Sequence, residues 1–158
     1  VIDVNDGLGG EGPYSAQRCG GLPTNSVIKL CRRENLPAAD LIRKLNTHGG
    51  LLGYLGTDDG REISRRAQSG DEKARLVYEG MAYQAAKAIG ACAAVLEGDV
   101  RAIILTGGFA YDRLFTNWIA SRTAFIAEIV IMPGEDEQKA LCEAALRVLS
   151  GEEQLKTY

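Results

Sequence analysis

Long apolar runs are missing from this 158-residue sequence. Its most apolar helical stretch, residues 82–96, is interrupted by Lys87 and is shorter than the ~20 residues of a membrane span. It reads as a buried amphipathic helix. No basic segment followed by an apolar one marks a secretory leader, and none is expected. Histidine occurs once, at His48, which excludes a histidine metal cluster and gives a hydrolase triad no support; His48 reads as a loop residue. The four cysteines, Cys19, Cys31, Cys92 and Cys142, contain no CxxC pair. That argues against zinc, and reduced thiols in a cytoplasmic protein are the simplest reading. Clustered basic charge is also absent. The net charge is −3 and the pI about 5.3, and Arg32-Arg33 and Arg65-Arg66 are isolated pairs that read as solvated helix ends. No nucleic-acid footprint is present. No internal repeat occurs, and no methionine opens the chain.

What is there is an ordinary globular composition, 46% hydrophobic and 25% charged, long enough for one domain with a core. Residues 1–5 (VIDVN) alternate as a half-buried strand does, so the chain is expected to be a fragment that starts inside a strand. Residues 6–13 (DGLGGEGP) form a glycine-rich loop, where the backbone can take φ > 0 or approach a ligand. Residues 23–32 predict a helix capped by Thr24 or Asn25, with Val27, Leu30 and Cys31 on one face. A second helix is predicted over 37–46, with proline near its start. Residues 49–60 (GGLLGYLGTDDG) hold too much glycine for a regular element.

A helix over 61–67 and a break at Ser69-Gly70 precede the longest predicted helix, 71–96. Its apolar residues Leu76, Met81, Ala85, Ile89, Cys92 and Val95 recur at helical spacing; Gly80 and Gly90 leave open a kink. The remainder alternates: strand 101–106, turn at Gly107-Gly108, helix 111–122, strand 128–132, turn at Pro133-Gly134, helix 135–149. The near-continuous apolar run of 101–106 is that of a buried parallel strand, and the alternation predicts an α/β domain.

Chemistry is expected where such strands end, because ligands of open α/β sheets sit at the carboxyl ends of strands, against helix N-termini. Thr106-Gly107-Gly108 occupies one such junction, as a nucleotide-contacting turn or as a plain tight turn. Glu135-Asp136-Glu137 occupies the next. Three carboxylates there suit magnesium, although acidic residues are common in a first helical turn because the helix dipole favours them. Arg18 is a candidate for a transferring phosphoryl group, or a surface arginine. Asp59-Gly60-Arg61 offers an acid for a ribose hydroxyl and a base to lie on an adenine, or a solvated loop.

Taken together, VIDVND…GEGPYS..RCGGLP (1–23), GGLLGYLGTDDGRE (49–62), GDEKARLVYEGMAYQAAKAIG (70–90), ILTGGFAYD (104–112) and IMPGEDEQKALCEAALRVLSGEE (131–153) resemble the butyrate kinase branch of the acetate/butyrate kinase family. They come in family order and cover nearly the whole chain. The resemblance implies an actin-like ATPase (ribonuclease H-like) α/β fold, with residues 1–158 as its C-terminal, nucleotide-binding domain. It further implies phosphoryl transfer between ATP and a short-chain carboxylate, giving ADP and an acyl phosphate, with butyrate, acetate, propionate or a branched acid as acceptor. A non-catalytic nucleotide-binding module is the reading from another class.

Thr106, Gly107 and Gly108 resemble the family's adenosine motif, and Asp112 falls where related acetate kinases carry an asparagine near the nucleotide. Asp59 and Arg61 resemble the Asp-x-Arg bordering the adenosine pocket. Arg18 is similar in context to the arginine that contacts the transferring phosphoryl group, although Cys19-Gly20-Gly21 departs from the Ser-Gly-Asp of acetate kinases. Asp136 or Glu137 resembles the carboxylate linked to Mg2+. The first domain, its phosphate loop and the first strands of this domain are expected upstream of Val1, so the chain alone is expected to lack kinase activity. A homo-oligomer is expected, with residues 1–5 as an unpaired edge that invites self-association.

Overall fold

The computed structural model describes residues 1–134 and 136–155, without the side chain of Glu137. The helices are α1 (Thr24–Glu34), α2 (Ala38–Thr47), α3 (Gly50–Leu55), α4 (Gly60–Gln68), α5 (Glu72–Val95), α6 (Arg113–Thr123) and α7 (Glu137–Leu149). Strands β1 (Ala102–Gly107) and β2 (Glu128–Pro133) flank α6, and a 3-10 turn (Gly108–Tyr111) joins β1 to it. Among the described residues no helix is long and apolar enough to cross a membrane.

The core is where α3, α4, α5 and α6 meet: Leu51, Ile63, Tyr78, Met81, Ala82, Phe115 and Ile119 form one buried cluster. α5 is continuous through Gly80 and Gly90, without a break. Its buried residues are Ala74, Tyr78, Met81, Ala82 and Ala86, so the expected face is only partly the real one. Met81 belongs to it and Ala85 and Ile89 pack at its edge, but Leu76 is 74% exposed and Val95 49%. Small residues let α4 and α6 approach closely, and alanine contributes little to a hydrophobic period.

Gly80 has a specific reason. A Cβ there would stand 2.7 Å from the Tyr14 hydroxyl, which donates to the Val77 carbonyl at 2.5 Å. The Tyr14 N–H also donates to Gln84 Oε1 at 3.2 Å, so Tyr14 docks the glycine-rich segment on α5. Burial, and then neighbouring Tyr54, pushes the Tyr14 phenol up to about 12.

Helix starts follow capping chemistry, with one correction. Pro23 is the N-cap of α1, with no side-chain cap bond, so neither Thr24 nor Asn25 caps it. Proline's fixed φ already suits a helix start, where its missing N–H costs nothing. Asp71 caps α5, accepting from the Ala74 N–H at 2.9 Å. Its other oxygen pairs with Arg66 Nε at 2.9 Å, so Arg66 is an inter-helix tie rather than a solvated end. The cap from Ala74, then the Arg66 bond, holds the Asp71 carboxyl below its ordinary pKa.

Residues 49–60 are not irregular, as expected, but begin with α3. Its N-terminus is completed by another segment: Gly49, Leu51 and Leu52 donate their N–H groups to the carbonyls of Gln17, Ser15 and Ala16 at 2.8, 3.0 and 2.9 Å. The orphan donors of a helix start are thus met by backbone distant in sequence. Gly50 sits at φ +54, where a Cβ would lie 1.9 Å from the Ser15 oxygen.

β1 and β2 pair in parallel, from Ala102 opposite Glu128 to Gly107 opposite Pro133. Strand side chains alternate between faces, and only one face is covered. Ile103 is buried and Leu105 packs on the core, whereas Ile104 is 60% exposed. The expected strand buried on both faces is therefore half-covered among the described residues, and Leu141, Leu146 and Leu149 of α7 are exposed as well. Residues 1–5 form no strand, and Val1, Ile2 and Val4 are exposed; alternation becomes a strand only with a hydrogen-bonded neighbour, and no described strand pairs with them.

Candidate active site

Two walls are built by local sequence. At the end of β1, Gly107 takes φ 84, ψ −177, a region essentially restricted to glycine. It pairs with Gly134 through N–H to carbonyl contacts of 3.2 and 3.4 Å. This bend releases the chain from the sheet into the 3-10 turn. Asp112 then caps α6, Oδ1 accepting from the Leu114 N–H at 2.9 Å, while Oδ2 accepts from the Tyr78 hydroxyl at 2.8 Å. On the opposite wall Asp59 caps α4, with Oδ1 accepting from the N–H groups of Arg61 at 2.9 Å and Glu62 at 3.4 Å. The Arg61 bond, then the Glu62 bond, holds the Asp59 carboxyl below its ordinary pKa, so it is an acceptor at neutral pH. The walls touch at one point: a Cβ on Gly60 would lie 2.7 Å from Phe109 Cε1.

Between them lies a cavity of about 1060 Å³. One wall presents Asp58, Asp59, Gly60 and Arg61, continued along α4 by Ser64, Arg65 and Gln68; the other presents Gly108, Phe109, Tyr111 and Asp112. Ser69, Tyr78 and Ala16 complete the lining. Four expected residues, Asp59, Arg61, Gly108 and Asp112, are thus brought together from segments about 50 residues apart. The Arg61 side chain is 96% exposed and only 3.7 Å from Asp59, so its guanidinium is available to a ligand. Asp112 has both carboxylate oxygens engaged.

The other expected residues stand apart. Thr106 and Gly107 lie in the last residues of β1, directly before the lining but outside it. Arg18 is on the segment that supplies Ala16. Its guanidinium lies against Gly7, 3.2 Å from where a Cβ would be, and its N–H and Nε approach Ser15 Oγ at 3.2 and 3.4 Å. No carboxylate pairs with Arg18 among the described residues. Asp136 is exposed at the start of α7 and makes no capping bond. Glu135 and the Glu137 side chain lie outside the described residues, among which no group of three metal-binding side chains occurs.

Sequence reasoning passed over Ser64, Arg65 and Gln68. With Arg61 they stand at i, i+3, i+4 and i+7, one polar face of α4, a signal the basic-pair reading hid. Gln68 Nε2 donates to Ser64 Oγ at 2.9 Å, and Arg65 makes no ion pair among the described residues. Tyr78, Phe109 and Tyr111 carried no signal beyond being aromatic.

Residues 6–121 match the model of the acetokinase family. The chain is 46% identical over all 158 residues to butyrate kinase 2 of Clostridium acetobutylicum, spanning 44% of that protein's length. Its fold is similar to that of Porphyromonas gingivalis acetate kinase, with TM-score 0.72 and 23% identity over 80% of this chain and 38% of that one. A Francisella tularensis propionate kinase gives 0.65 and 26% identity over 73% of this chain and 30% of that one. These likenesses set the fold class as α/β of the actin-like ATPase kind, and the chain belongs to the acetokinase family.

Proposed function

We propose that this chain supplies the adenine-nucleotide half of a carboxylate kinase, with butyrate as the favoured acceptor. The cavity between Asp59–Arg61 and Gly108–Asp112 carries the reading: it opens at the carboxyl end of parallel strands, where nucleotides bind in such folds, and has the size of a ligand site. Arg61 lies over the adenine, and the Oδ2 of Asp59, unused by its cap, takes a ribose hydroxyl. Thr106, Gly107, Gly108 and Asp112 shape the path of the adenosine. In the reaction a carboxylate oxygen attacks the γ-phosphorus of ATP as the bond to the ADP oxygen breaks, giving the acyl phosphate. Arg18, with no carboxylate of its own among the described residues, faces the moving phosphoryl group. Positioning and charge neutralisation carry such a transfer.

Magnesium suits oxygen donors, one or two carboxylates together with phosphates, and Asp136 and Glu137 are the carboxylates proposed to hold it. When bound, it would neutralise charge on the nucleotide phosphates. The remaining site is proposed to come from the part of the family's length that this chain does not span, completed by a homo-oligomer.

Two outcomes are expected. The isolated chain should bind ADP by calorimetry yet form no acyl phosphate from ATP and butyrate; turnover at the rate of a family-length kinase would refute the division of labour. Gly108→Val should intrude on the cavity and weaken ADP binding at least tenfold, about 1.4 kcal/mol. Undiminished affinity in that variant would remove the nucleotide assignment.

A further inference from the structure

We infer that Tyr78 is a positioning residue whose hydroxyl sets the nucleotide wall of the cavity, an inference that rests on the nucleotide reading above. Tyr78 is fully buried in α5 and is among the residues that line the cavity. Its hydroxyl donates to Asp112 Oδ2 at 2.8 Å, at the residue where the 3-10 turn ends and α6 begins. Its ring stacks on Phe115 at 5.0 Å between centroids and tilts against Phe109, in the middle of that turn, at 6.1 Å. Phe109 in turn fills the space above Gly60. One side chain therefore holds the turn at its middle through the ring and at its end through the hydroxyl. Burial, then the Asp112 carboxylate, raises the phenol well above its ordinary pKa, so it remains a donor across the working pH range.

The ring contacts account for stability, and a phenylalanine would keep them. The hydroxyl adds something else. Without it, Asp112 Oδ2 loses the one donor described for it. Residues 108–112, which form one wall of the cavity, would then lose their described side-chain tie to α5. Hydrogen bonds to a charged group are among the stronger ones, and a misplaced wall is felt by the ligand rather than by the fold.

The test compares Tyr78→Phe with Ile119→Val, a core substitution in α6 at a residue 4% exposed and outside the cavity lining. ADP affinity is measured by calorimetry and stability by denaturation for each. Tyr78→Phe is expected to weaken ADP binding about tenfold, and Ile119→Val to lower stability while binding ADP as the unaltered chain does. In a kinase of family length, Tyr78→Phe should raise the nucleotide KM with little change in kcat. Unaltered ADP affinity in Tyr78→Phe would overturn the inference. So would a parallel loss in Ile119→Val, because both effects would then be general destabilisation. Absence of ADP binding by the unaltered chain would instead bring down the nucleotide reading itself.

Discussion

Arg18→Ala should lower kcat by roughly 10²–10³ in a kinase of family length, with a smaller change in the KM for ATP. As the phosphoryl group moves, negative charge spreads over its oxygens. A guanidinium fixed beside them helps the transition state more than the ground state, and only that difference accelerates the step. Fixation is visible in the structure. The segment bearing Arg18 is held to α3 by three backbone hydrogen bonds and to α5 by Tyr14, and no carboxylate neutralises Arg18 among the described residues. Arg18→Lys should recover little, because an ammonium does not reproduce the planar fork of donors. Single-turnover formation of acyl phosphate separates the alternatives. A variant that keeps near-normal kcat makes Arg18 a surface residue and leaves Asp136 and Glu137 as the catalytic candidates of this half.

The other large effect is expected at Gly50. An alanine there would place its Cβ 1.9 Å from the Ser15 carbonyl oxygen, at φ +54. The left-handed backbone costs about 1–2 kcal/mol for a residue with a side chain, and forcing apart packed backbone adds about 1–3 kcal/mol. The sum is a large share of the ~5–15 kcal/mol that holds a typical domain. Gly50→Ala should therefore shift the denaturation midpoint strongly. Gly56→Ala is the comparison: its φ is +76 but nothing stands within 4 Å of its Cβ, so it should cost only the backbone term. Equal midpoints for the two variants would mean that the close approach of residues 15–18 to α3 contributes nothing. In a kinase of family length where Gly50→Ala still folds, displacement of that segment should also depress kcat, linking the turn to Arg18.

The elements were legible where local rules suffice. The apolar runs at 101–106 and 128–132, separated by a helix, admit a parallel pair, and β1 and β2 are that pair. The helices over 61–67 and 71–96 are α4 and α5, whose caps Asp59 and Asp71 the sequence reading did not assign. Three expectations failed for one physical reason, that neighbours distant in sequence decide. α3 forms in a glycine-rich stretch because residues 15–17 complete its N-terminus. Residues 1–5 alternate as a strand does and form none. The periodic residues Leu76 and Val95 face outward because the helices beside α5 approach along its alanines.

The candidate site divides in the same way. Local spacing alone marks Asp59 and Arg61 at a helix start and Gly107 and Gly108 at a strand end, since capping and positive φ are properties of a few adjacent residues. That these two junctions form opposite walls of one cavity is a property of packing. It depends on a glycine at 60 under a phenylalanine at 109, and on the Tyr78 hydroxyl reaching Asp112 across 34 residues of chain. The family, the α/β class and the chemical types at the site were fixed by residue identity and order. Which of those residues line one cavity, and which stand outside it, was decided by tertiary contact, because hydrogen bonds and close approaches act over a few ångströms whatever the separation in sequence.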